Sequence, residues 1–414
     1  MTTRYPAPAL RAFASSLLQR AGLAADRADP VAEILLEGDL LGHTTHGLQL
    51  LGPYLKALEA GTMTRAGEPE IVADRGAAMT WDGRFLPGPW LILRALAAAF
   101  SRTAEHPVTT VVIRRSHHIG CLAAYLKRAT DRGFVILLTC SDPSVASVAP
   151  HGAVVGRLTP NPLAAGFPTD GLPILIDISA STTTNGLVAR MNRAGKGERL
   201  PGPWLVDSQG NATDDPAVMD ANPPGAILPL GGLDLGHKGF ALGLLVEALT
   251  AALAGHGRAD GESRWGASVF LQVIDPGAFG GREAFARETG WLANACRTAP
   301  VKRGAAPVRL PGERGLRLRD QQLAKASRSA RRRCPRSDPG RRSSARRFPP
   351  RAKAGSRAAY RSAGCRERPA APRTGARRVR QRGECGRDSV RSRTAATRRC
   401  AWCAPRRSSR SRSP

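Results

Sequence analysis

The sequence predicts an α/β protein with a helical N-terminal segment and a basic C-terminal tail of different character. Three observations predict it. Apolar runs of strand length alternate with longer runs of helical spacing, the mark of a sheet with covered faces. The N-terminal stretch is helical in its spacing. The charge is also uneven. Of a formal charge of +29 over 414 residues, residues 321–414 hold 30 Lys+Arg and 4 Asp+Glu. The first 320 residues hold 32 basic and 29 acidic groups, as an ordinary globular body does. The pI near 11.3 is therefore a property of the tail.

The elements follow in order. MTTRYPAPALRAFASSLLQRAG reads as an amphipathic helix, with no continuous apolar core of a signal peptide. Val31, Ile34 and Leu35 keep a helical period, and Asp29-Pro30 predicts where that helix starts. Residues 90–101 form a further helical segment. Val111, Val112 and Ile113 predict a short strand, and residues 119–132 an alanine-rich helix ending at Gly133. Residues 134–139 are apolar throughout, as a strand buried on both faces should be. Ile174, Leu175 and Ile176 predict another strand, and residues 239–253 a long buried helix. VFLQVI at 269–274 predicts a strand, followed by a helix through Phe285 and Leu292. Residues 201–203 and 222–233 are rich in Pro and Gly and read as loops. There is no internal repeat.

Periodicity stops near Leu323. Residues 1–325 are read as the body and 326–414 as a disordered, Arg-rich tail. That tail has too few aliphatic residues to offset its chain entropy. It has three readings: a disordered basic extension, a nucleic-acid-binding arm, or translation in a shifted frame. The third is preferred. Back-translation of ASRSARRRCPRSDPG from the third base of the Ala326 codon permits VALGPAALPQIRPW, a peptide with aliphatic spacing and a tryptophan. Polyarginine binds nucleic acid nonspecifically in any case, so contact of that kind is all the tail is expected to make.

Composition removes several classes of function. No run of 18 apolar residues marks a membrane span. The body's cysteines, Cys121, Cys140 and Cys296, include no CxxC pair and suit a reducing, cytoplasmic setting. No HExxH pattern appears, and no metal is expected. Neither GxGxxG nor GxxxxGK[ST] is present, so these fingerprints indicate no nucleotide cofactor.

The chemistry points to histidines beside glycine: His43 and His46 in LLGHTTHGLQLL, His117 and His118 in RRSHHIG, and His237 in LGHKGF. Imidazole exchanges a proton near neutral pH, as carbonyl reduction or alcohol oxidation requires. The alternative for each is a helix cap or a satisfied core group.

Nine blocks in order carry a resemblance. They are GDLLGHTTHGLQLLGPYLKALEAGTM, RRSHHIGCLAAYL, LTPNPLAAGFP, LPILIDISAS and PGPWLVDSQGNATDDP. LPLGG followed by HKGFALGLLVEALTAAL, then FLQVIDPGAFGG, RETGWLANACR and RLPGERGLRLR complete the run. Over about residues 5–325 the chain resembles the malate/L-lactate dehydrogenase family. The resemblance implies that family's non-Rossmann α/β fold, an NAD or NADP cofactor, a small 2-hydroxy or 2-oxo acid or related imine as substrate, and a homodimer.

By position, the resemblance makes His46 the proton donor and acceptor, Thr45 the residue that orients it, and His118 a second histidine near substrate and nicotinamide. Ile178, Ser179 and Ala180 match a cofactor-contacting loop. His237 and Lys238 are expected in a glycine-rich loop opening a helix, where they hold phosphate. Pro311, Gly312, Glu313 and Arg314 match a late cofactor contact. Two positions depart from the pattern. Leu50 stands where many members have an arginine that clamps the substrate carboxylate, and leucine makes no such bond. Leu187 stands where some have an aspartate relaying to the histidine. Arg190 is either a substitute carboxylate anchor or a surface residue.

The expected reaction moves a hydride between nicotinamide C4 and a substrate carbon while His46 exchanges the proton. Two alternatives are a cyclic ketimine reductase and a nucleic-acid-binding protein acting through its tail. A shifted frame also removes the family's closing segment, which leaves open an inactive form of the enzyme.

Overall fold

The computed structural model describes residues 5–194 and 197–333. The chain opens with helices α1 (Ala7–Arg20), α2 (Ala25–Leu40) and α3 (Leu51–Glu59). Ala14 and Leu18 of α1, Val31 and Leu35 of α2, and Tyr54 and Leu58 of α3 form one buried cluster. α2 begins at Ala25 and carries Pro30 inside it, so Asp29-Pro30 is not its start. Proline removes one backbone bond, but Val31, Ala32, Ile34 and Leu35 are wholly buried, and burial outweighs the loss.

A long sheet follows. Its first members are β1 (Glu70–Asp74) and β2 (Ala78–Asp82). Helix α4 (Gly88–Arg102) crosses to β3 (Val108–Ser116), which lies parallel to β2. Then come α5 (Ala123–Thr130), β4 (Val135–Ser141), β5 (Pro162–Phe167), β6 (Ile174–Ser179) and α6 (Asn185–Ala194). Two-residue strands β7 (Leu205–Val206), β8 (Ala212–Thr213) and β9 (Ala226–Ile227) make a small second sheet, of which β9 lies within residues 222–233 read as loop. Helix α7 (Gly232–Glu247) runs on through a π-helical turn (Ala248–Ala252). Strand β10 (Ala267–Ile274) and helices α8 (Arg282–Thr298) and α9 (Glu313–Arg333) close the described chain.

The large sheet has the order β1-β2-β3-β10-β4-β5-β6. Strand β10, late in sequence, sits at its centre, antiparallel to β3 and β4. The sheet is therefore mixed, and among the described strands only β2 and β3 pair in parallel. The main core lies where Val111, Ile113, Ile136, Leu138, Val269 and Leu271 of the sheet meet Leu91, Leu96, Tyr125 and Leu126 of α4 and α5.

Register decides where chemistry can sit. Ser116 pairs with Ala267, Ser268 with Ser141, and Pro162 with Ser179. The C-terminal ends of β3, β4 and β6 and the N-terminal ends of β5 and β10 thus share one edge of the sheet.

Helix α7 corrects one expectation. It is not buried around its girth: Leu244 and Leu245, and Leu253 beyond it, are about half exposed. Its inner face carries Gly236, Gly239 and Gly243. A Cβ at Gly239 would lie 2.3 Å from the Leu230 nitrogen and 2.7 Å from the Ala180 oxygen. These glycines let the helix lie against the loop after β6, a packing role. The expected disordered, frame-shifted tail at 326–414 falls outside the described residues from 334 onward, and the helical backbone of α9 runs to Arg333.

Candidate active site

The loop that presents His46 is pinned at both ends by residues with no room for a side chain. A Cβ on Gly38 would come within 2.9 Å of the His46 carbonyl oxygen, and one on Gly47 within 2.2 Å of Asp39 Oδ1. Asp39 Oδ2 accepts the Leu48 N–H at 2.9 Å, and the His43 carbonyl accepts the His46 N–H at 2.9 Å. The short 3₁₀ turn Thr44–His46 thus has a fixed exit from α2.

This turn faces the shared sheet edge. Between them lies a cavity of about 450 Å³, whose walls include His46, His118, Leu50, Asp142, Asp177 and Trp265. Thr45 Oγ1 lies 2.9 Å from His46 Nδ1. The His46 and His118 rings stack with centroids 5.9 Å apart, and His118 also leans on Trp265 at 5.0 Å. Burial lowers the His46 pKa below the usual 6.5, the Asp177 carboxylate opposes that, and His43 adds to it. His46 is therefore neutral near pH 7 and able to take a proton.

His118 is held differently. Gly120 donates its N–H to His118 Nδ1 at 3.2 Å, so Nδ1 is an acceptor and the neutral ring carries its proton on Nε2. Burial holds its pKa well below 6.5, and the neighbouring histidines push the same way. His118 can donate a hydrogen bond but stays neutral.

Asp177 is a carboxylate that sequence reading missed. It lies on β6, and its Oδ2 accepts the Ala123 N–H at the start of α5 at 2.9 Å. Burial raises its pKa, against the pull of His43, the Ala123 N–H and His46. Its sequence signal was its place in the block LPILIDISAS, where no role was attached to it. Leu187, where a relaying aspartate was sought, packs into the apolar cluster of Val188, Leu205 and Ile227. Tyr54 and Trp265 were also missed. Tyr54 looked like one more apolar position on a helix, and Trp265 precedes β10 in a polar stretch.

A second cleft, about 1240 Å³, opens beside the first and shares His43, Asp177 and Ile178 with it. Pro311, Gly312, Arg309 and Arg314 form its far wall. Gly312 is required there: its φ is +83°, and a Cβ would lie 2.6 Å from Leu175 Cβ.

The chain belongs to the malate/L-lactate dehydrogenase family. Residues 5–327 match the family described as malate/L-lactate dehydrogenase. An L-lactate dehydrogenase of Cupriavidus necator is 33% identical over 310 residues, covering 73% of this chain and 87% of that protein. A Delta(1)-pyrroline-2-carboxylate reductase of Ancylobacter novellus is 28% identical over 314 residues, covering 73% and 87%. A putative malate/lactate dehydrogenase structure from E. coli superposes with a TM-score of 0.70 at 26% identity, covering 79% of this chain and 95% of that one.

Within this family fold the expected site residues divide. His46, Thr45 and His118 meet in the first cavity, and Ser179 and Ile178 line it. Pro311, Gly312 and Arg314 line the second. Ala180 is buried, its N–H held by the Pro160 carbonyl at 2.9 Å. Glu313 is also turned inward: it accepts the Leu310 N–H at 3.2 Å and pairs with Arg317 at 2.5 Å, which caps α9.

His237 and Lys238 are not in a loop. They lie in the second turn of α7, exposed and lining neither cavity. The glycines around them serve helix packing, which the sequence pattern does not distinguish from phosphate binding. Arg190 is exposed on α6 and lines neither cavity, while Asn185 and Gly186 at the head of that helix do line the first.

Proposed function

We propose that this chain is an NAD(P)-dependent oxidoreductase that interconverts a small 2-hydroxy acid and its 2-oxo acid, with His46 carrying the proton. The observation behind it is the pair of stacked, neutral histidines in one cavity, each with Nδ1 committed to a different partner. Where His46 donates Nδ1–H to Thr45, its other ring nitrogen holds a lone pair and takes the substrate hydroxyl proton. In the reverse direction the same nitrogen, protonated, delivers it. The Nε2–H of His118 hydrogen-bonds the substrate oxygen and aligns it. Asp177 stabilises the imidazolium form of His46 through space.

The second cleft would take the cofactor. That cleft exceeds the roughly 300–1,000 Å³ of ordinary small-molecule pockets and joins the histidine cavity. Arg309 and Arg314 would meet its phosphates, and Ile178 and Ser179 its nicotinamide end. When bound, the nicotinamide supplies or accepts a hydride at C4.

A second reading, cyclic ketimine reduction, has its own support. Among the residues lining the first cavity there are two carboxyl groups, Asp142 and Asp177, and no Lys or Arg. Leu50 is on that wall. Such a lining favours a substrate with a protonated nitrogen over a dianionic acid. The reductase among the relatives agrees with it.

Two further proposals follow. The exposed Leu244, Leu245 and Leu253 would form part of a homodimer contact. A cytoplasmic setting suits the unpaired Cys121, Cys140 and Cys296.

The test assays 2-hydroxy acids, 2-oxo acids and cyclic imines with both cofactors. His46→Ala is expected to lower turnover by about 10²–10⁴-fold while cofactor fluorescence still reports binding. Unchanged turnover in that variant sinks the assignment of His46.

A further inference from the structure

Sequence spacing in residues 1–325 shows no metal-binding pattern, yet the fold brings three metal-ligating side chains together from distant positions. His43 follows α2, Cys121 lies between β3 and α5, and Asp177 is on β6. One ligand atom from each lies within 4.8 Å of the others. We propose that His43, Cys121 and Asp177 bind a single thiophilic divalent cation, for which zinc is the fitting probe, and that its binding blocks proton exchange at His46.

The donor set is a nitrogen, a sulfur and an oxygen, which suits zinc and excludes magnesium or calcium as the preferred ion. The sulfur is already aimed. Cys121 Sγ lies 3.7 Å from Asp177 Oδ2, donating its thiol proton toward the carboxylate. The cation takes the place of that proton: a bond forms from sulfur to metal, and the S–H proton leaves to solvent.

The orientation of Asp177 is fixed by the Ala123 N–H on Oδ2 at 2.9 Å. Zinc needs about 2.3 Å to sulfur and about 2.0–2.1 Å to nitrogen, so the three atoms must close by about an ångström. The His43 side chain can supply the movement by rotating, since its backbone is held but the residue is only half-buried.

The place of the triad gives the consequence. His43 and Asp177 line both cavities, and Cys121 lines the first. A cation held by these three side chains would therefore border the cavity that contains His46. Asp177, once coordinated, no longer offers its negative charge to His46. This inhibitory part rests on the proposed proton role of His46, whereas the binding itself does not.

The test uses cobalt(II) as a spectroscopic probe on the full chain. Cys400 and Cys403 form a CxxC pair, so Cys400→Ser and Cys403→Ser are made first to remove their thiols. One equivalent of cobalt is expected to give a sulfur-to-cobalt charge-transfer band that zinc abolishes. Cys121→Ser should remove the band and His43→Gln should weaken binding at least tenfold, with unfolding curves confirming that each variant folds.

A background chain without a one-equivalent band overturns the site. So does a band that survives Cys121→Ser. If Cys121→Ser does not fold, the His43→Gln titration decides, and unchanged affinity there overturns the site as well. Zinc is also expected to lower turnover at least tenfold at one equivalent. Turnover by the metal-free chain with no band on adding cobalt refutes the metal site alone, whereas a band from a chain that shows no turnover when metal-free leaves the metal site standing and counts against the oxidoreductase reading alone.

Discussion

The phenol oxygen of Tyr54 lies 2.9 Å from Nδ1 of His118 and 2.9 Å from its carbonyl oxygen. Tyr54 is fully buried on α3, in the cluster that joins the first three helices. The orientation of a cavity histidine is thus tied to the packing of the N-terminal helices. Tyr54→Phe keeps the ring and removes this tie. Loss of a hydrogen bond of about 0.5–1.5 kcal/mol should lower kcat about 3–10-fold and leave cofactor affinity unchanged. A stopped-flow comparison with the parent checks both values.

His117 sets an acid limit to the fold. It is wholly buried, with neither ring nitrogen hydrogen-bonded, and packs edgewise on Tyr54 and against Trp265. Burial, with a smaller push from Arg264, lowers its pKa from the usual 6.5 to about 3. The unfolded chain therefore takes up a proton below pH 6.5 that the folded chain refuses until about pH 3. This contribution is intact above pH 6.5 and declines as pH falls toward 3, by up to about 1.4 kcal/mol per pH unit. His117→Phe should flatten the loss between pH 6 and 4 in urea melts. A parallel pH dependence in parent and variant would falsify this account.

Leu50 decides what the cavity can hold. It stands on the wall without a charged partner for a carboxylate. Leu50→Arg should raise kcat/KM for 2-hydroxy acids about 10–100-fold, the worth of charge-assisted hydrogen bonds of about 1.5–3 kcal/mol. It should lower the same ratio for cyclic imines. Arg190→Ala, on the exposed face of α6, should stay within twofold for every substrate, and a larger loss restores Arg190 as an anchor.

Gly239 carries the contact between α7 and the loop after β6. A methyl there meets backbone atoms of Leu230 and Ala180 at 2.3–2.7 Å, which cannot yield as a flexible side chain would. Gly239→Ala should cost about 1–3 kcal/mol and weaken cofactor binding with it, since Ser179 and Ala180 shift together. Thermal melting and cofactor titration on one preparation would show the two losses moving in step. A melting loss with unchanged cofactor affinity removes the loop from the cofactor site.

The sequence by itself determined the alternation of strands and helices, because apolar spacing records which side of each element is buried. It determined the family through nine ordered blocks, and it singled out His46, Thr45 and His118, which line one cavity, since each sits inside a contiguous block. It also located the charge, because formal charge is a property of composition. Tertiary structure decided what contiguity does not carry. Burial kept Pro30 inside α2 against its local preference. The assembled fold put Asp177 and His46 on the walls of one cavity across 131 positions, and no local pattern marks such a pairing. The same glycine spacing that suggested a phosphate loop at His237 and Lys238 proved to be the smooth side of a packed helix. Local sequence states which conformations a residue can adopt, and only the assembled sheet edge settles which side chains share one cavity and at what pKa.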